Sequence, residues 1–289
     1  MKKLIVSIVC IIASFTLTAQ VGIGTTSPDA SSALHIESTT KGFLPPRMTT
    51  AERNAIASPA TGLTIFNTTE NCLQWYVTDG WYDGCDNSIF SPGDVRSTTG
   101  KIWKDRNLGA SQVATASNDF NAYGSLYQWG RLSDGHEIIN WTSPSGSDGA
   151  EQSNETTTTT TSTSPPTSDF IKAGNWYIGT NPDDLWQGVS GINNPCPTGY
   201  RLPTEAELDA ERLSWGTNDA AGAFNSPLKL PTAGNRSYSS GNLLSQGSGN
   251  YCSSTVSGGF SRLLEFTSGN ASMQQDFRGD GYSVRCLKE

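Results

Sequence analysis

The stretch Cys196-Pro-Thr-Gly-Tyr-Arg-Leu-Pro-Thr-Glu-Ala-Glu-Leu208 leaves the backbone fewer options than any other part of this chain. Pro197 fixes φ ahead of a turn at Gly199, and Pro203 holds Leu202 extended, so the chain reaches Thr204 already shaped. Thr204 then offers its hydroxyl to the first turn of a helix while Glu207 reaches back to the Thr204 N–H, and Glu205 and Glu207 both complement the positive end of the dipole. The pattern predicts a helix over 204–215. The cysteine ahead of it, in an exported protein, is expected to tie this entrance to a distant part of the fold.

Export is itself expected from the N-terminus. Lys2 and Lys3 precede an apolar run over 4–15, and small residues follow, the layout of a cleavable leader at 1–19. The run is too short to span a bilayer comfortably, and nothing later is apolar for long enough to do so. Cys10 follows Val9, where lipid attachment wants a small residue, so it is expected to leave with the leader. Of six cysteines, Cys72, Cys85, Cys196, Cys252 and Cys286 then remain. The number is odd, so at least one thiol is free or paired between molecules. A net charge of −8 with no Lys/Arg cluster argues against nucleic acid. With 16% charged residues and eight tryptophans in 289 residues, the composition suits a loop-rich chain of about two domains.

Residues 20–88 form the first of these. A brief strand is expected over 33–36, one or two helical turns over 50–56, and β segments over 61–67 and 73–77. Cys72 and Cys85 flank the second β segment, where a local staple would contribute roughly 3 kcal/mol. Val21-Gly-Ile-Gly-Thr25, Gly42-Phe-Leu-Pro-Pro-Arg-Met-Thr49 and Asn71-Cys-Leu73 resemble the N-terminal segments of bacterial surface proteins and phage tail-fibre-like proteins. That resemblance implies a display or attachment module, assembled as a homo-oligomer, with no catalysis.

The second domain is expected over 89–289. A strand is predicted over 100–108, and Asn118 or Asp119 caps a short helix carrying Tyr123, Leu126 and Tyr127. Residues 142–169 hold six consecutive threonines at 156–161 and no aromatic or branched aliphatic side chain, so they are expected to form a disordered insertion. Short strands are predicted over 228–230, 251–254, 261–266 and 282–287.

Residues 94–288 resemble the Fibrobacter succinogenes major paralogous domain, which is similar to the formylglycine-generating, sulfatase-modifying fold and to the C-type lectin architecture. The motifs are Trp103-Lys-Asp-Arg-Asn-Leu108, Tyr123-Gly-Ser-Leu-Tyr-Gln-Trp-Gly-Arg131, the 196–208 stretch, Leu230-Pro-Thr-Ala-Gly-Asn-Arg236, Ser253-Ser-Thr255 and Arg278-Gly-Asp-Gly-Tyr-Ser-Val-Arg-Cys286. The resemblance implies an α+β domain: a C-type-lectin-like fold with two helices, a small twisted, mostly antiparallel sheet and long loops. It also implies a Cys196–Cys286 disulfide. Cys252 stands where the family carries Trp and is the expected free thiol.

The chemistry of the candidates narrows the function. A copper oxidase of the formylglycine type needs two neighbouring thiolates, and with Cys286 committed only Cys252 is left. His35 and His136 have no partnered nucleophile. Asn181-Pro-Asp-Asp184 is a candidate calcium loop but reads better as an Asx-capped turn, and Arg278-Gly-Asp280 belongs to the closing turn rather than to an adhesive motif. No cofactor or metal is expected. The Tyr-, Asn-, Ser- and Arg-rich segment 236–280 is the expected recognition surface, with Arg236, Tyr238, Asn250, Tyr251, Phe260, Arg262, Asn270, Gln274 and Arg278 as contact residues for a glycan or protein ligand. The expectation is therefore a secreted or cell-surface binding protein without enzymatic activity. A formylglycine-type oxidase and a purely structural fibre component are the alternatives.

Overall fold

A computed structural model describes residues 20–144 and 151–289. The leader with Cys10 lies outside the described residues, as do positions 145–150 of the Thr-rich insertion. The chain divides into two compact units, 1–76 and 77–289.

In the first unit, β1 (Val21–Ile23) and β2 (Leu34–Ile36) pair in parallel. The chain then extends through 42–46 to β3 (Arg47–Met48), which pairs in parallel with β4 (Thr64–Asn67), and β4 runs antiparallel to β5 (Cys72–Val77). The predicted turns at 50–56 become α1 (Thr50–Asn54), capped by Thr49 and Glu52 in a full capping box. Beneath α1 the Arg53 guanidinium donates to Gln74 Oε1 at 2.8 Å, and the Asn67 amide donates to the same oxygen at 3.0 Å. All three side chains are buried. Cys72 and Cys85 are both disulfide-bonded, as expected of the staple.

The second unit is mostly sheet with short helices, a mixed α+β arrangement. Beyond a hairpin of β6 (Gly80–Asp83) and β7 (Ile89–Phe90) lie three principal sheets. One combines β8 (Asp94–Arg96), β9 (Ile102–Lys104), β15 (Tyr200–Arg201) and β22 (Leu287–Lys288) in the order β15-β22-β9-β8. Another runs β10-β21-β16-β17, with β10 at Tyr127–Gln128, β16 at Asn235–Arg236, β17 at Leu243–Leu244 and β21 at Gly281–Tyr282. The third is an antiparallel meander of β18 (Gly249–Ser257), β19 (Phe260–Phe266) and β20 (Ala271–Phe277).

The opening stretch folds as its residues dictate. Gly199 sits at φ +83°, and Thr204 caps α2 (Glu205–Leu213) with the Glu207 carboxylate accepting the Thr204 N–H at 2.8 Å. Cys196 is bonded to Cys286 across 90 residues with Cα atoms 5.8 Å apart. The closing segment then joins the sheets. Ser283 N–H donates to Asn250 O, Leu108 N–H to Val284 O and Lys104 N–H to Cys286 O, each at 2.9–3.0 Å. A helix α3 (Ala220–Asn225) follows α2, capped by Asp219.

Several expectations are corrected. The helix through Tyr123 and Tyr127 is only a 3-10 turn at Phe120–Ala122, because Gly124 turns to φ +71° against the Leu108 carbonyl and releases Tyr127 into β10. Leu228 and Leu230 are both buried but are not a strand, since Lys229 between them lies at φ +50°. The predicted strand at 282–287 is two short strands, β21 and β22, separated by residues 283–286. The Thr-rich insertion is ordered where it is described. Glu151–Gln152 (β12) pairs with Ile139–Asn140 (β11), and Glu155–Thr156 (β13) pairs in parallel with Phe170–Ile171 (β14). Backbone pairing and buried polar side chains supply there the order that apolar burial cannot.

Candidate functional site

Two surfaces stand out, one in each unit. In the first, the two-stranded sheet of β1 and β2 leaves its aliphatic side chains in solvent: Val21 and Ile23 are 53% exposed and Leu34 51%. Phe43 and Leu44 on the extended segment are more exposed still, Leu44 at 72%. A two-stranded sheet with no hydrophobic face covered is marginal in water, and the register sets Val21 beside Leu34 and Ile23 beside Ile36, so these exposed aliphatic side chains adjoin one another.

In the second unit, three aromatic rings gather at one end of the meander. Phe277 ends β20 directly opposite Phe260 at the start of β19, with ring centroids 5.2 Å apart. Tyr238 packs on the other side of Phe277 at 4.7 Å. The Tyr238 loop is fixed from below, where its backbone N–H donates to the Asp280 carboxylate at 2.8 Å. Burial, with Asp276 nearby, pushes the Asp280 carboxyl up to about 7. Tyr282 donates its hydroxyl to Asp276 at 2.7 Å.

The predicted contact residues separate into two groups. Arg236, Asn250, Tyr251 and Arg278 are buried and belong to the scaffold, which removes them as surface contacts. Arg236 holds the backbone and side chain of Ser153 and lies 4.1 Å from the Phe170 ring centroid. Tyr251 donates its hydroxyl to the Pro231 carbonyl, and Asn250 bonds the closing segment. Arg278 reaches Asp183, Pro182 O and Gly258 O with its guanidinium over Trp129. Gly279 must lack a Cβ, which would lie 1.7 Å from the Ala173 carbonyl oxygen. The Arg278-Gly-Asp280 tripeptide is thus buried and unavailable to a partner, and within the Asn181–Asp184 turn the Asp183 carboxylate and the Pro182 carbonyl are engaged by the Arg278 guanidinium.

Tyr238, Phe260, Arg262, Asn270 and Gln274 remain accessible, but only Tyr238 and Phe260 are brought together, around Phe277. Arg262 is engaged by Glu205 of α2. Asn270 accepts from the Asn218 amide at 3.1 Å, and Gln274 donates to Ser272 Oγ at 3.0 Å. Phe277 follows a run of polar residues that predicts no strand, and the cross-strand register that sets it against Phe260 is not visible in sequence.

His136 is the group most suggestive of chemistry, and its surroundings assign it a fixed role. It is fully buried, with Asp134 Oδ1 at 2.8 Å and Glu137 Oε2 at 3.2 Å from Nδ1. Nε2 accepts the Gln128 backbone N–H at 3.1 Å, so by this network the proton sits on Nδ1. A metal at Nδ1 would transfer that proton to Nε2, against another donor. The Asp134-His136-Glu137 cluster, although its atoms lie close enough for a metal, is a hydrogen-bonded clamp. His35 accepts the Asp29 N–H through Nδ1 at 3.1 Å. Among the described residues Cys252 is the free thiol, buried, with its ionisation opposed by burial and by Asp280. Such a thiol is a poor nucleophile. A cleft of about 430 Å³ beside the Cys196–Cys286 bridge is lined by Lys104, Asp105, Arg106 and Leu108 among others, with Lys104 and Arg106 already paired to Asp94 and Asp105.

A family described as a phage tail like trimerisation region matches residues 22–97. No curated protein and no solved structure matches the chain.

Proposed function

We propose that this chain is a structural component of a trimeric surface or fibre assembly, exported by its leader to a secreted or cell-surface location and without enzymatic activity. The observation that carries the proposal is the coincidence of the trimerisation-region match with the uncovered aliphatic strands β1 and β2, which three copies would bury against one another. The 77–289 unit is taken as the C-type-lectin-like domain that the Fibrobacter paralogous motifs imply, so each assembly carries three of them. Substituting Ile23→Asp together with Leu34→Asp puts charge where the copies would meet. Size-exclusion chromatography with light scattering should then give three chains per particle for the unaltered mature protein and one for the double variant, with the thermal transition of the second unit retained. An unaltered protein that elutes as one chain at micromolar concentration would refute the proposal.

A second reading, recognition of a glycan or protein ligand, is favoured by the Tyr238–Phe277–Phe260 cluster. Aromatic rings with an exposed edge suit either partner, and a trimer would raise the avidity of a weak site by presenting three. Titration of the mature protein against glycan and protein arrays, compared with Phe277→Ala, tests it: signals unchanged by the substitution would exclude this patch.

A further inference from the structure

We propose that the Thr-rich strap of the second unit is an acceptor for O-linked sugars, with the hydroxyls of Thr157, Thr158 and Thr161 as the attachment atoms.

The strap carries no apolar anchor of its own, yet the fold commits three buried side chains to holding it. Arg236 donates to the Ser153 carbonyl at 2.9 Å, Asn193 to the Thr163 carbonyl at 2.7 Å and Arg131 to the Thr167 carbonyl at 2.8 Å. Its backbone is paired along the same course, with Lys172 N–H on Thr156 O at 2.7 Å and Ile178 N–H on Thr160 O at 2.9 Å. Around 156–161 the strap is thus held through its main chain, while the side chains of Thr157, Thr158 and Thr161 are left open to solvent. Thr157, Thr158 and Thr161 are exposed, and their hydroxyls make no hydrogen bond among the described residues. Pro165 and Pro166 follow shortly after and disfavour helix. Threonine and serine with proline is the composition of O-glycosylated stalks, and a bulky, solubilising group on this edge would meet water rather than protein.

A threonine hydroxyl is not nucleophilic unaided, so the step belongs to a separate transferase. Threonine Oγ1 attacks the anomeric carbon of a sugar activated as a nucleotide or polyprenyl phosphate. The bond from that carbon to the phosphate oxygen breaks and the phosphate leaves with the electron pair. The hydroxyl proton passes to a base of the transferase. Nothing is oxidised or reduced, and this chain supplies only the acceptor and its presentation.

The test is the intact mass of the mature protein isolated from its own source, with peptide fragmentation that preserves side-chain attachments. The expected result is an excess over the polypeptide mass equal to whole sugar units, mapped to 156–161. That excess should be lost in the triple variant Thr157→Ala, Thr158→Ala, Thr161→Ala. These side chains are exposed and unbonded, so the variant should unfold at the same temperature as the unaltered protein, which separates loss of the acceptor from loss of the fold. A protein at the bare polypeptide mass, an excess of phosphate, or an excess that survives the triple substitution would each overturn the assignment.

Discussion

Asp280 shows how a single buried side chain carries both structure and cost. Its carboxylate receives the Tyr238 N–H and so sets one ring of the aromatic cluster, while burial and Asp276 push its carboxyl up to about 7. Between the ordinary carboxylate range and about pH 7 the unfolded chain gives up this proton and the folded chain keeps it. Stability from this group is therefore full at low pH and falls as pH rises through that window. Asp280→Asn keeps the acceptor for Tyr238 and removes the titration, so its stability relative to the unaltered protein should rise from pH 4 to pH 8, by at most about 4 kcal/mol. Denaturant unfolding at several pH values measures this, and a difference independent of pH would contradict it. The same scale explains what sequence could not supply. Arg285 and Arg278 stood out as motif members, but only the fold shows that Arg285 is fully buried on the Asn107 amide oxygen and the Leu228 carbonyl, its guanidinium pushed by burial down to about 10. Arginine normally marks a surface, so composition pointed the 236–280 contact residues outward when four of them face in.

At the scale of elements, local rules were readable and non-local pairings were not. The capping boxes at Thr49 and Thr204 follow from residues three apart, and both form. Burial opposes the Glu207 charge, yet hydrogen bonds from Arg201, the Thr204 N–H and Lys101 outweigh it and pull the carboxyl down to about 2. Its contribution is present above the ordinary glutamate range and is lost as pH falls toward 2. Glu207→Gln should cost about 1–2 kcal/mol at pH 7 and nothing near pH 2, a convergence that thermal melts across that range would reveal. The Cys196–Cys286 tether, implied by the family motifs, is present. The chain-entropy account assigns its loop roughly 4–5 kcal/mol. Cys196→Ser should therefore lower the midpoint of unfolding of the whole second unit together, seen by tryptophan fluorescence, rather than loosen α2 alone. The Thr-rich strap escaped prediction for the opposite reason. Its order comes from Arg131, Asn193 and Arg236, outside the segment, and from pairing with the strands that flank it at 139–140 and 170–171, and a window of threonine, serine and proline contains no trace of them.

For the molecule as a whole, the motifs place a boundary between a small β module and a larger domain at 88/89, whereas the chain divides into compact units at 76/77. The uncovered strands were visible only as a Val-Gly-Ile and a Leu-His-Ile segment, whose aliphatic side chains would ordinarily be assigned to a core. That those side chains lie in solvent in one chain is intelligible if other copies complete the fold, which makes association part of the stability of the first unit rather than an addition to it. Sedimentation equilibrium of the intact mature chain tests this most directly: the account predicts a particle of three chains that persists on dilution into the nanomolar range, and a single-chain mass throughout would contradict it.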